Sequence, residues 1–180
     1  ILSGCKAMGF TDYKERHDGL LKVIVEAILL AHNKEFKREW WKGHPPRSMD
    51  LGNGGFIRWD PVIRTVENIP HNRPDLFVKL PDGRKFIVEA TVCKDSVVVE
   101  RFEQKQRRYL QLGNDIARTE GTHPTLFAIA VGTLGAVSKG VVKNLEKLAS
   151  WGIPIRIGKL QKTATIGSIR IANKIVSMRY

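Results

Sequence analysis

The sequence predicts an α/β fold, a β-sheet with helices on both faces. Three observations carry this. Helical and strand-like patterns alternate along the chain, a pair of short strands is joined at Pro81-Asp82-Gly83, and residues 125–133 (TLFAIAVGT) are apolar on both faces, as expected of a strand in the middle of a covered sheet. With 180 residues and 42% hydrophobic content, the chain is long enough for one domain with a sizeable core.

In order, Asp12 followed by Glu15 is a relative of the capping box, and residues 13–41 read as one long helix. Its middle, LLKVIVEAILL, is apolar almost all round, with Glu26 the exception. Residues 43–55, rich in Gly, Pro and Asn, read as a loop, and residues 56–66 as short extended pieces broken at Pro61. Residues 76–80 and 85–92 form a hairpin about the Pro-Asp-Gly turn. Helical spacing returns over 96–118, where Val98, Phe102, Lys105, Tyr109, Leu112 and Ile116 share one face. Ser138 caps a helix over 139–150. Residues 158–178 read as helical, although their Ile, Val and Thr content leaves a strand open. No repeat, low-complexity segment or domain boundary interrupts this order.

The formal charge of +12 is uneven: residues 139–180 hold nine lysines or arginines against one acid, Glu146. Such a surplus attracts polyanions, nucleic acid first and an acidic membrane surface second. The longest apolar candidate, residues 23–31, is broken by Glu26, so no membrane span is expected. The chain opens at Ile1 without an initiator methionine or secretory leader, as a segment of a longer polypeptide would. Cys5 and Cys93 make neither a disulfide framework nor a self-contained zinc site, which fits a reducing compartment.

Strand alternation puts Ile87, Glu89, Thr91 and Cys93 on one side of the second hairpin strand, so Glu89 lies mid-strand among apolar neighbours. A carboxylate there needs a cation, donors or a metal. Asp75 opens the neighbouring strand, and two carboxylates at a strand pair's open end make a plausible Mg²⁺ site. Lys105, the one charged member of the core-facing stripe, either snorkels to the rim or joins the acids. The three together suit metal-assisted phosphodiester hydrolysis.

Pro74-Asp75, a gap of 13 residues and Glu89-Ala90-Thr91 resemble the PD-(D/E)XK nuclease superfamily, whose core has a mixed sheet flanked by helices. Thr91 stands where that family usually has lysine; Lys105 would serve from the following helix, with Lys94 a competitor. Arg73 before Pro74-Asp75, the pair Lys105 and Tyr109, and Arg16-His17-Asp18 narrow the likeness to the restriction-enzyme-like endonucleases of site-specific non-LTR retrotransposons. ILSGC resembles the tail of a zinc knuckle that precedes the domain in that family, with residues 1–10 as its remnant and 11–180 as the endonuclease domain.

The resemblance implies a nuclear enzyme that nicks DNA to prime reverse transcription. Asp75 and Glu89 would hold Mg²⁺ or Mn²⁺, and Lys105 would be catalytic; Tyr109 is a further candidate. The expected partners are DNA and the reverse transcriptase and knuckle regions of the same polyprotein, with no membrane. Glu26 is either the additional acid that first helices in this superfamily often supply or the partner of a basic residue. Arg16, Arg73, Arg107 and Arg108 are candidate DNA contacts. On a helix, Lys159, Lys162, Arg170 and Lys174 fall within about 120° of one another, which suits phosphates or a solvated face equally. Trp40 and Trp41 either stack on bases or pack at a helix end. Two rival readings stay open, a junction-resolving nuclease of the same core and a DNA-binding module with a dead site.

Overall fold

The structure, a computed structural model, describes residues 10–43 and 45–177. The chain is an α/β protein with a five-stranded mixed sheet. Strands β1 (Ser48–Gly52), β2 (Gly55–Trp59), β3 (Leu76–Lys79), β4 (Lys85–Cys93) and β5 (Thr125–Gly132) lie side by side in chain order. All neighbours are antiparallel except β4 and β5, which run parallel. The helices are α1 (Phe10–Ala31), α2 (Val98–Arg108), α3 (Leu110–Glu120), α4 (Lys139–Ser150) and α5 (Ile157–Ser177). Of the expected zinc-knuckle remnant, residues 1–10, residues 1–9 lie outside the described residues and Phe10 opens α1.

Period-two alternation in the strands divides the core. Phe86, Val88, Ala90 and Val92 of β4 face the larger cluster with Phe127, Ile129 and Val131 of β5 and the buried residues of α1, α4 and α5. Ile87 faces a smaller cluster with Phe77, Tyr109, Leu112 and Ile116 beneath α3. Cys93 and Ala130 pack against Val98 at the start of α2. Each fully buried Leu, Ile or Phe contributes about 1.5–3 kcal/mol relative to exposure.

Four expectations change. The first helix stops at Ala31, where Asn33 adopts φ 56°. Asn33 N–H donates to Leu30 O (3.1 Å) and Lys34 N–H to Leu29 O (2.8 Å), the paired bonds of a Schellman cap. A separate 3-10 turn follows at Arg38–Trp41, with Trp40 edge-on to Phe36. The expected loop at 43–55 contains a hairpin, with Asn53 (φ 49°) and Gly54 (φ 73°) forming the two-residue turn between β1 and β2. The expected helix over 96–118 is two helices broken at Tyr109, which leaves helical geometry at φ −107° and ψ 14°. Finally, β5 is a border strand of this sheet, not a central one, although helices cover both its faces.

α1 and α5 cross closely because both carry glycine at the contact. A Cβ on Gly19 would come 3.2 Å from Thr163 Cγ2, and one on Gly167 would come 3.1 Å from Arg16 Cγ. The last described segment is a helix from Ile157 to Ser177, packed antiparallel on α1, and the strand alternative is set aside for these residues.

Candidate active site

The β3–β4 register, Leu76 opposite Val88 and Phe77 opposite Ile87, continues one step to set Asp75 against Glu89. Asp75 N–H points at Glu89 Oε1 (3.3 Å), and Ala90 N–H donates to Asp75 Oδ2 (2.8 Å). The aspartate thus takes up an amide of β4 just beyond the start of β3. Glu89 has 2% side-chain exposure and is ion-paired with Lys105, which reaches it from α2. Burial pushes the Glu89 carboxyl up, and the negative charge of Asp75 adds to the effect, while Lys105 and the Tyr109 hydroxyl oppose it.

α1 supplies a cation, His17, which the sequence offered only within Arg16-His17-Asp18. His17 Nε2–H donates to Asp75 Oδ2 (3.0 Å), and Nδ1–H donates to Asp18 Oδ1 (3.3 Å). Burial alone would lower the His17 pKa, yet the hydrogen bonds to Asp18 and Asp75 outweigh it and raise it to about 10. Asp18 is held below its usual range despite its burial, because His17 and Lys14 (3.4 Å) stabilise the carboxylate. Tyr109 packs in the smaller core cluster, donates its hydroxyl to Arg73 O (2.9 Å), and so fixes the backbone just before Asp75. Burial and the Glu89 charge push its phenol well above the ordinary range.

Asp75, Lys105 and His17 line a cavity of about 240 Å³ together with Tyr13, Lys14 and Trp59. Glu89 does not itself line this cavity, and the carboxylates of Asp75 and Glu89, opposite one another across the β3–β4 pair, are the oxygens that could take up a hard divalent ion. Among the described residues no group of three or more His, Cys, Asp or Glu side chains has the arrangement of a metal cage.

The structure brings Asp75, Glu89, Lys105 and Tyr109 together and leaves others apart. Glu26 lies nine residues beyond His17, about 13 Å along the helix, and pairs with Lys159 (2.6 Å). Lys94 is exposed beyond the end of β4, and it is Lys105 that contacts Glu89. Arg16 is 4% exposed and donates to Ser168 Oγ (3.3 Å) at the α1–α5 contact. Arg73 is exposed and forms a two-pronged pair with Asp60 (2.7 and 2.6 Å). Arg107 and Arg108 are exposed on α2. Lys159, Lys162, Arg170 and Lys174 do line one groove, about 530 Å³, between α1 and α5. Lys174 is paired there with Asp12 (2.7 Å).

His17 and Tyr13 were the residues sequence reasoning undervalued. Their signal was the i, i+4 spacing that stacks the two rings 6.3 Å apart with an interplanar angle of 19°. The fold and site define an α/β protein with a buried acid–lysine cluster at one end of its sheet. No known family model and no curated protein matches the chain. Among the described residues, no helix is long and apolar enough to cross a membrane.

Proposed function

We propose that the chain is a divalent-metal-dependent DNA endonuclease with a PD-(D/E)XK-like core. In this reading it nicks target DNA in the nucleus, so that a reverse transcriptase of the same polyprotein primes on the freed 3′ end, as in site-specific non-LTR retrotransposons. The observation that carries the proposal is the meeting of Asp75, Glu89 and Lys105. Lys105 on Glu89 also supports the view that a helix-borne lysine replaces the one expected at Thr91.

Each residue has work consistent with this. Asp75 and Glu89 would hold Mg²⁺ or Mn²⁺, which supplies Lewis-acid activation of the phosphate and of water. Ala90 N–H and His17 fix the Asp75 carboxylate, and Lys105 fixes that of Glu89. The Lys105 ammonium also lines the cavity, where it can donate to a phosphate oxygen as negative charge builds up. Water attacks phosphorus, the bond to the 3′ oxygen breaks, and the products are a 5′-phosphate and a 3′-hydroxyl. Tyr109 acts at one remove, by holding the Arg73 carbonyl.

The test is nicking of supercoiled plasmid with Mg²⁺ or Mn²⁺ and with EDTA, run beside Asp75→Ala, Glu89→Ala and Lys105→Ala. Each variant is expected to lose at least about 100-fold in nicking rate, with DNA binding largely kept. Cutting in EDTA, or full activity in all three variants, would refute the assignment.

A further inference from the structure

We infer that the trough beside the acid–lysine cluster receives a single-stranded segment of DNA, its backbone on Lys94, Arg101 and Arg108 and an unpaired base on the ring of Tyr13. The inference rests on the endonuclease reading for its substrate, and it adds which form of DNA reaches the site.

The trough encloses about 630 Å³ between α2, the end of β4 and Tyr13. Every charged side chain that lines it is cationic: Lys94, Arg101, Lys105 and Arg108. Three of these recur on α2 at spacings of four and three, hence on one helix face. Arg101 and Arg108 are about 10 Å apart along that axis, far enough to meet different phosphates of one strand. Tyr13 and Lys105 line both this trough and the Asp75 cavity, so a strand lying in one continues into the other.

Tyr13 decides between paired and unpaired DNA. Its residue is 39% exposed, with the ring stacked on His17, which in turn holds Asp75. A base inside a duplex shows its faces only to other bases, so an exposed ring among cations is useful to a base that has left the stack. Cations on a groove with an aromatic platform are the parts from which single-strand sites are made.

The experiment measures binding without metal, so its outcome does not depend on whether the chain cuts. A labelled single-stranded oligonucleotide, and a duplex with a short mismatched bubble, are titrated in EDTA across a salt series, with the fully paired duplex as reference. The bubble is expected to bind more tightly than the paired duplex. Lys94→Ala combined with Arg101→Ala should lower the slope of log affinity against log salt by roughly 1.4. Tyr13→Ala should weaken single-strand binding about tenfold and Tyr13→Phe should restore it. 2-Aminopurine in the oligonucleotide should be quenched by the wild type and by Tyr13→Phe, but not by Tyr13→Ala. Unchanged slope, unchanged affinity of Tyr13→Ala, or equal binding of bubble and duplex overturns the inference. If those results hold and the plasmid is not nicked, the endonuclease reading fails and the strand-binding trough stands.

Discussion

His17 carries a positive charge into a place where burial opposes one. Its cost is met by two carboxylates, Asp18 and Asp75, and the raised pKa of about 10 is the signature. The sign of the pH effect follows. A group protonated more readily in the folded state stabilises fully below its unfolded pKa of about 6.5, and that stabilisation fades as pH rises through about 10. In EDTA, urea midpoints of the wild type should fall between pH 7 and pH 10, by the equivalent of a few kcal/mol. The same series for His17→Gln should be flatter; parallel curves would show that the histidine is not charged in the fold. Sequence reasoning reached Asp75, Glu89 and Lys105 because each breaks an apolar pattern. Arg16 and Glu26 were less legible: a charged helix residue gives no sign of which side a partner helix will cover, and α5 meets both, pairing Glu26 with Lys159, the basic-residue alternative the sequence left open.

The turn between β5 and α4 is bound to the segment after β4 by one carboxylate. Asp95 accepts bonds from Thr133 Oγ1 (3.0 Å), Leu134 N–H (3.0 Å to Oδ2) and Ala136 N–H (3.0 Å). Those donors keep its pKa below the usual range although burial opposes them. The bracket needs glycine opposite, because a Cβ on Gly132 would lie 2.1 Å from Asp95 Oδ1. Gly132→Ala should therefore cost about 1–3 kcal/mol, seen as a drop in Tm; an unchanged Tm would mean the bracket gives way freely. At this scale β3, β4, β5 and α4 were legible, since their periodicity is long or their turn and cap residues are distinctive. The β1–β2 hairpin was missed because its strands are five residues each, and Asn53-Gly54, the signal present, sat inside a run that reads as loop. The break at Tyr109 has no local cause in the form of proline or glycine. It coincides with the hydroxyl's bond to Arg73 O, a tertiary demand that helical spacing does not record.

For the whole molecule, the candidate site draws on α1, the approach to β3, β4 and α2. β5, α4 and α5 complete the larger core and clamp α1 from outside. Composition revealed the basic C-terminal quarter, and the fold adds that part of its charge is paired with Asp12 and Glu26 of α1. The Asp12–Lys174 pair has a wider consequence. It holds the beginning of the first helix against the finish of the last, so Phe10 and Ser177 lie at a common pole. A circular permutant, with these ends joined by a short Gly-Ser bridge and new ends opened between Asp82 and Gly83, should keep the wild-type circular dichroism spectrum and cooperative melt. A molten product would mean the two ends do not meet. Modules attached at either side would then sit as neighbours, sharing one exit and leaving the opposite flank clear.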